Sequence, residues 1–150
     1  MFSRTILVAF VAFSAVFAQA ASLTARQAGN AECNLDRIEI VVKLADAQRT
    51  TRTLTTQLAS DPVNSKGIKA VSDGLDHAQD AIDIIADALV AGQNAPADAR
   101  QHVSDGLDEA SDGLDSIHSN DTAVTENLNK LHDQLVAAAT AGNGVIENCK

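Results

Sequence analysis

The chain has 150 residues, a formal net charge of −9, four Phe and no Trp or Tyr. All four Phe (Phe2, Phe10, Phe13, Phe17) fall in the first twenty positions, so histidine is the only aromatic ring downstream. That excludes stacking nucleic-acid and sugar binders, which need aromatic platforms or a basic patch.

Residues 1–20 (MFSRTILVAFVAFSAVFAQA) read as a secretory signal peptide. Arg4 gives the positive start, Ile6 to Phe17 the apolar middle, and Ala18-Gln19-Ala20 a small-residue cleavage site. The apolar run is too short to span a bilayer, and with no second such run downstream no transmembrane segment is expected. Cleavage leaves about 130 residues beginning near Ala21, enough for one domain with one core. With Arg4 removed the net charge becomes −10. Residues 21–30 (ASLTARQAGN) read as a flexible lead-in to a domain over 31–150.

Turn clusters at Ser60-Asp61-Pro62, Gly92-Gln93-Asn94-Ala95-Pro96 and Ser119-Asn120-Asp121 divide that domain. Pro62 and Pro96 suit a helix's first turn, and Gly92 suits a helix end. Four helices are predicted, over 31–59, 65–91, 97–118 and 121–147. The second carries a regular heptad stripe, Ile68, Val71, Leu75, Ala78, Ile82, Ile85, Leu89. The third gives Val103, Leu107, Ala110, Leu114, Ile117. The fourth gives Val124, Leu128, Leu131, Leu135, Ala138, then Val145 beyond a weak Gly142. The first keeps the spacing through Ile40, Leu44, Ala47, Thr51, Leu54 and Leu58, with Arg37 and Thr51 as interruptions. Val71-Ser-Asp-Gly-Leu-Asp76 recurs 32 residues on as Val103-Ser-Asp-Gly-Leu-Asp108 in the same register. Short connections make neighbouring helices antiparallel. The expected fold is therefore all-α, an antiparallel up-down-up-down four-helix bundle.

In that topology the two cysteines, Cys33 and Cys149, lie at one end of the bundle and face inward. Export supplies an oxidising compartment. One disulfide is expected to close the bundle, which removes both thiols from catalysis or metal binding.

Aspartates form one outward stripe per helix: Asp73, Asp76, Asp80, Asp83 and Asp87, then Asp105, Asp108, Asp112 and Asp115. Short carboxylates on a convex face cannot enclose a calcium ion, so the expected role is solubility. Asp73 and Asp80 flank His77, Asp98 and Asp105 flank His102, and Asp115 precedes His118. These are surface ion pairs when the histidine is protonated. His77 and His132 fall at similar heights on different helices, but no two histidines have metal-ligand spacing. No nucleophile elbow, phosphate loop or buried carboxylate pair is present. No catalytic residue, metal or cofactor is expected. Asn120-Asp121-Thr122 is the one glycosylation sequon, and Asn120 is alternatively a helix N-cap.

The helix edges expected to meet are nearly all small: Gly67, Gly74, Ala81, Ala88 on the second helix and Ala99, Gly106, Gly113 on the third. Gly inside a helix costs ~1 kcal/mol relative to Ala, so a compensating use is implied. One use is close packing. The other is a seam that parts to expose Leu75, Ile82, Leu107 and Leu114 to a ligand, with the second and third helices as the yielding side.

The leader, the Ala/Asp/Ser-rich amphipathic helices, the Asp-Gly-Leu-Asp repeats and the terminal cysteines resemble small secreted helical proteins of fungi. More distantly, residues 31–148 are similar in character to the hydrophobic-surface-binding and cell-wall galactomannoprotein family. That resemblance implies a secreted bundle associated with cell walls, hydrophobic surfaces or fatty-acid-like ligands. Three functions stand as expectations. The first is a non-catalytic binder of an apolar surface or lipid-like ligand. The second is a secreted effector that meets a protein partner through its acidic face. The third is a structural wall component. All three place the protein outside the cell or in its wall, without nucleic acid.

Overall fold

The computed structural model describes residues 31–149. The expected signal peptide, its cleavage site and the lead-in lie outside them. Four helices follow in order: α1 (Ala31–Gln57), α2 (Asn64–Val90), α3 (Ala97–Asp115) and α4 (Thr122–Asn148). Each packs against its neighbours in sequence, and α1 also packs against α4. The result is the antiparallel up-down-up-down bundle, with no strand among the described residues.

The helix ends follow local chemistry. Asp61 lies ahead of α2, and its carboxylate accepts the N–H groups of Val63 (3.0 Å) and Asn64 (3.1 Å). α2 closes on Gly92, whose φ of 74° is the left-handed turn that glycine adopts without steric cost. There the Gly92 N–H bonds Leu89 O and the Gln93 N–H bonds Ala88 O, the paired bonds of a Schellman ending. α3 ends at Asp115 rather than 118. The N–H groups of Ser116 and Ile117 reach only three residues back, to Gly113 and Leu114, and this tight turn buries Ile117. α1 likewise ends at Gln57, short of the expected 59. Asp121 caps α4 by accepting the Val124 N–H at 3.0 Å, so Asn120 is not the cap and is exposed.

The predicted stripes supply the core, including Ile40, Leu44, Leu54, Leu75, Leu107, Leu114, Leu131 and Leu135. Burial is uneven along α2, however. Ile68, Val71 and Leu75 are buried, whereas Ile82 and Ile85 are only partly covered.

The four helices are organised as two tight pairs. In the α2/α3 pair a Cβ on Gly74 would lie 2.6 Å from Gly106 O and from Ala110 N. One on Gly106 would lie 2.6 Å from Gly74 O and 2.7 Å from Ala78 N. The contact is reciprocal, and it joins equivalent positions of the 32-residue repeat. Seven residues away, Gly113 meets the backbone of Val71, and Gly67 meets Ser116 and Ile117. In the α1/α4 pair the Cys33–Cys149 disulfide holds one end, with Cα atoms 5.0 Å apart. Asn148 donates to Asp36 at 2.8 Å one turn inward. At the far end Asn127 donates to Gln57 at 3.1 Å. The two pairs approach each other less closely than the helices within each pair.

At the end away from the disulfide, polar groups tie the pairs' connections together. The buried Asn64 side chain donates to His118 O (2.9 Å) and accepts from the His118 N–H (3.1 Å). It also donates to the Asp61 carboxylate at 2.7 Å, while Ser65 Oγ donates to Leu58 O and Asp61 O. At this end Leu58, Ile68, Ile117 and Val124 are buried.

A candidate apolar ligand cavity at the disulfide end

The disulfide end is built differently. A cavity of about 680 Å³ opens there between the two pairs, within the ~300–1,000 Å³ of small-molecule sites. From α2 it takes Ile82, Ile85 and Leu89, and from α3 Val103 and Leu107. Ile40 and Val41 of α1 and Val145 and Ile146 of α4 face them, and the disulfide forms part of the wall.

The space has a local cause. The second half of α4 reads Ala137-Ala138-Ala139-Thr140-Ala141-Gly142-Asn143-Gly144, and Ala139 and Gly142 line the cavity. Ile82, Ile85 and Leu89 of α2 are left incompletely covered, while Val103 and Leu107 of α3 border the cavity and remain largely buried. A Cβ on Gly142 would meet only Ile40 Cδ1, at an ordinary 3.5 Å.

The rim is polar. Arg37 of α1, Asn94 of the α2–α3 connection, Arg100 of α3 and Asn143 of α4 all reach it. Arg37 donates to Asn34 Oδ1 at 3.3 Å. Among the described residues neither arginine forms an ion pair with a carboxylate.

The expected ligand seam divides accordingly. Ile82 and Leu107 line the cavity. Leu75 and Leu114 are buried in the packed core and do not line the cavity. Gly74 and Gly106 line no ligand space, because the opposing helix backbone fills it, and Gly67 and Gly113 border only an open groove along α2 and α3. At Gly74 and Gly106 the small-residue edge of α2 and α3 takes the close-packing use. Two glycine-edged helices close onto each other's backbones, and the apolar cavity lies between the pairs. The sequence signal for that volume was the small-residue run of α4 opposite Ile82 and Leu107.

The remaining candidates lie elsewhere. The Asp stripes are exposed on α2 and α3 as expected. A second, more open groove of about 590 Å³ runs along this pair, with Lys66, Asp105, Glu109 and Asp112 in its walls. Five of its nine lining residues are charged and none is a large aliphatic, which gives an apolar ligand little to bury against. His77 meets α3 rather than its flanking aspartates. Its ring centroid is 5.3 Å from that of His102, and its Nδ1 is 3.8 Å from Glu109 Oε2. His132 lies beside Asp133 on α4. No group of three or more metal-ligating side chains occurs among the described residues. The Asp61 carboxyl sits among hydrogen-bond donors at the start of α2. The Asn64 N–H, with further bonds from the Asn64 side chain and the Val63 N–H, holds it below the usual aspartate value against an opposing effect of burial.

No protein-family model matches the chain, and no curated protein matches it. Among solved structures, a pectin methylesterase inhibitor from Arabidopsis thaliana is similar at a TM-score of 0.49 and 20% identity. The match covers 77% of this chain and 79% of that one. A likeness at this level adds nothing to the functional reading.

Proposed function

We propose that the protein is a secreted, non-catalytic binder of an apolar, lipid-like ligand, held in the cavity between its two helix pairs. One observation carries this reading: Ile82, Ile85 and Leu89 of α2 are only partly buried and, with Val103 and Leu107 of α3, line an open space at one end of the bundle. Filling that space with a hydrocarbon chain removes apolar surface from water, a gain of ~25 cal/mol per Å². The disulfide fits an oxidising compartment. No described helix is long and apolar enough to cross a membrane. The resemblance to hydrophobic-surface-binding wall proteins points the same way.

The neutral dye Nile red tests the cavity. Wild-type protein should bind it and raise its fluorescence. Gly142→Leu, which puts a side chain into the cavity lining where a Cβ meets only Ile40 at ordinary contact distance, should weaken binding by about tenfold without loss of the fold. Undiminished binding by this variant would place the dye elsewhere and overturn the reading. A second reading, recognition of a protein partner, rests on the charge of the α2/α3 pair. α2 carries five Asp against two Lys, and α3 six acidic residues against one Arg. By contrast, the acidic and basic residues of α1 balance at four each.

A further inference from the structure

The rim of the cavity specifies the head of the ligand. We infer, building on the apolar-cavity reading, that the site takes a single-chain amphiphile with an anionic headgroup, held between Arg37 and Arg100. Both arginines line a cavity whose interior is otherwise mainly aliphatic. They project from α1 and α3, which belong to different helix pairs, so one anion between them bridges the two layers at their most open end. Neither arginine has a carboxylate partner among the described residues, so neither guanidinium charge is already neutralised at the cavity.

The neighbouring acids are placed elsewhere. Asp36 receives the Asn148 amide and lies against Gly144. Asp108, the one carboxylate in the lining, is eight residues beyond Arg100, about 12 Å further along α3. Asn94 and Asn143 add amide donors to the same rim. The chain then extends inward past Ile40 and Val103 toward Ile82, Leu107 and Ala139. A guanidinium is always charged and presents its N–H donors in a planar fork, which suits a carboxylate or phosphate equally.

The test displaces Nile red from the disulfide-intact protein with four twelve-carbon amphiphiles, each below its micelle-forming concentration: dodecanoate, dodecyl phosphate, dodecanol and dodecyltrimethylammonium. Both anions should displace the dye at concentrations at least tenfold lower than dodecanol. The relative strength of the two anions distinguishes a carboxylate from a phosphate source. Arg37→Gln with Arg100→Gln should bring the anions to within about twofold of dodecanol while leaving dodecanol itself unchanged. Equal displacement by anion and alcohol, tighter binding of the cation, or an anion preference retained by the double variant would overturn the headgroup inference and leave the apolar cavity standing. Failure of wild-type protein to bind the dye and all four amphiphiles would remove the cavity reading itself, and this inference with it.

Discussion

Asp61 and Asn64 show how two side chains can organise one end of a bundle. The Asp61 carboxylate takes two backbone N–H groups at the start of α2 and the Asn64 amide, and Asn64 in turn holds both polar backbone groups of His118. Donors aimed at a carboxylate favour its charged form, and the Asp61 pKa is lowered accordingly. A group whose folded pKa is depressed contributes stability above its unfolded value, and that contribution is lost as pH falls through the folded value. Asp61→Ala should therefore lower the melting temperature at neutral pH. The gap from wild type should narrow once the pH drops below the unperturbed aspartate value of ~3.9. A gap that stays constant down to strongly acidic pH would mean that the charge of Asp61 plays no part. Thr51 makes a contrast: its hydroxyl is buried without a hydrogen-bond partner in a stripe otherwise made of aliphatics and alanine.

For the helices, the deciding feature is what each glycine faces. Alanine in place of a mid-helix glycine gains ~1 kcal/mol of propensity where space allows. Gly142 has that space, and Gly142→Ala should raise stability by up to about that amount. Gly74 and Gly106 face backbone atoms at 2.6 Å, which cannot move aside without separating the helices. Gly74→Ala and Gly106→Ala should each destabilise by roughly 1–3 kcal/mol, the usual cost of overpacking. Thermal or denaturant unfolding of the three variants checks the signs. Stabilisation by all three would show that α2 and α3 do not pack this closely in solution.

The whole molecule has unlike ends. One is joined by the Asn64–His118 bonds and buried aliphatics, and the other is held by the disulfide around a cavity. The bridge spans 116 residues of sequence. In the chain-entropy model a loop of this size contributes ~4–5 kcal/mol, with strain able to reduce it. Reduction should lower the melting temperature, and its local effect should be uneven. Amide exchange should quicken first in the opening turns of α1 and the closing turns of α4, while residues around Asn64 and His118 stay protected. Uniform acceleration along all four helices would argue against a weaker disulfide end. Loss of Nile red binding should accompany the reduction, because the bridge is part of the cavity wall.

The sequence by itself determined the four helices, their antiparallel order and the inward-facing cysteines. Those properties follow from heptad spacing, turn residues and short connections, all of which act over a few residues. It also contained the alternate small residues of α2 and α3, since a step of seven along each helix keeps one edge in register with its antiparallel partner. What those glycines do could not be read locally. Whether a small-residue edge leaves room or removes it depends on the face opposite. Gly74 and Gly106 face each other and bring two backbones together, whereas Gly142 and Ala139 border an opening lined by Ile82 and Leu107. The same dependence hid the placement of Arg37 and Arg100 in one cavity lining, 63 positions apart in the chain. Only the tertiary structure decided where the free volume lies, because a cavity is a property of the side chains that meet across it.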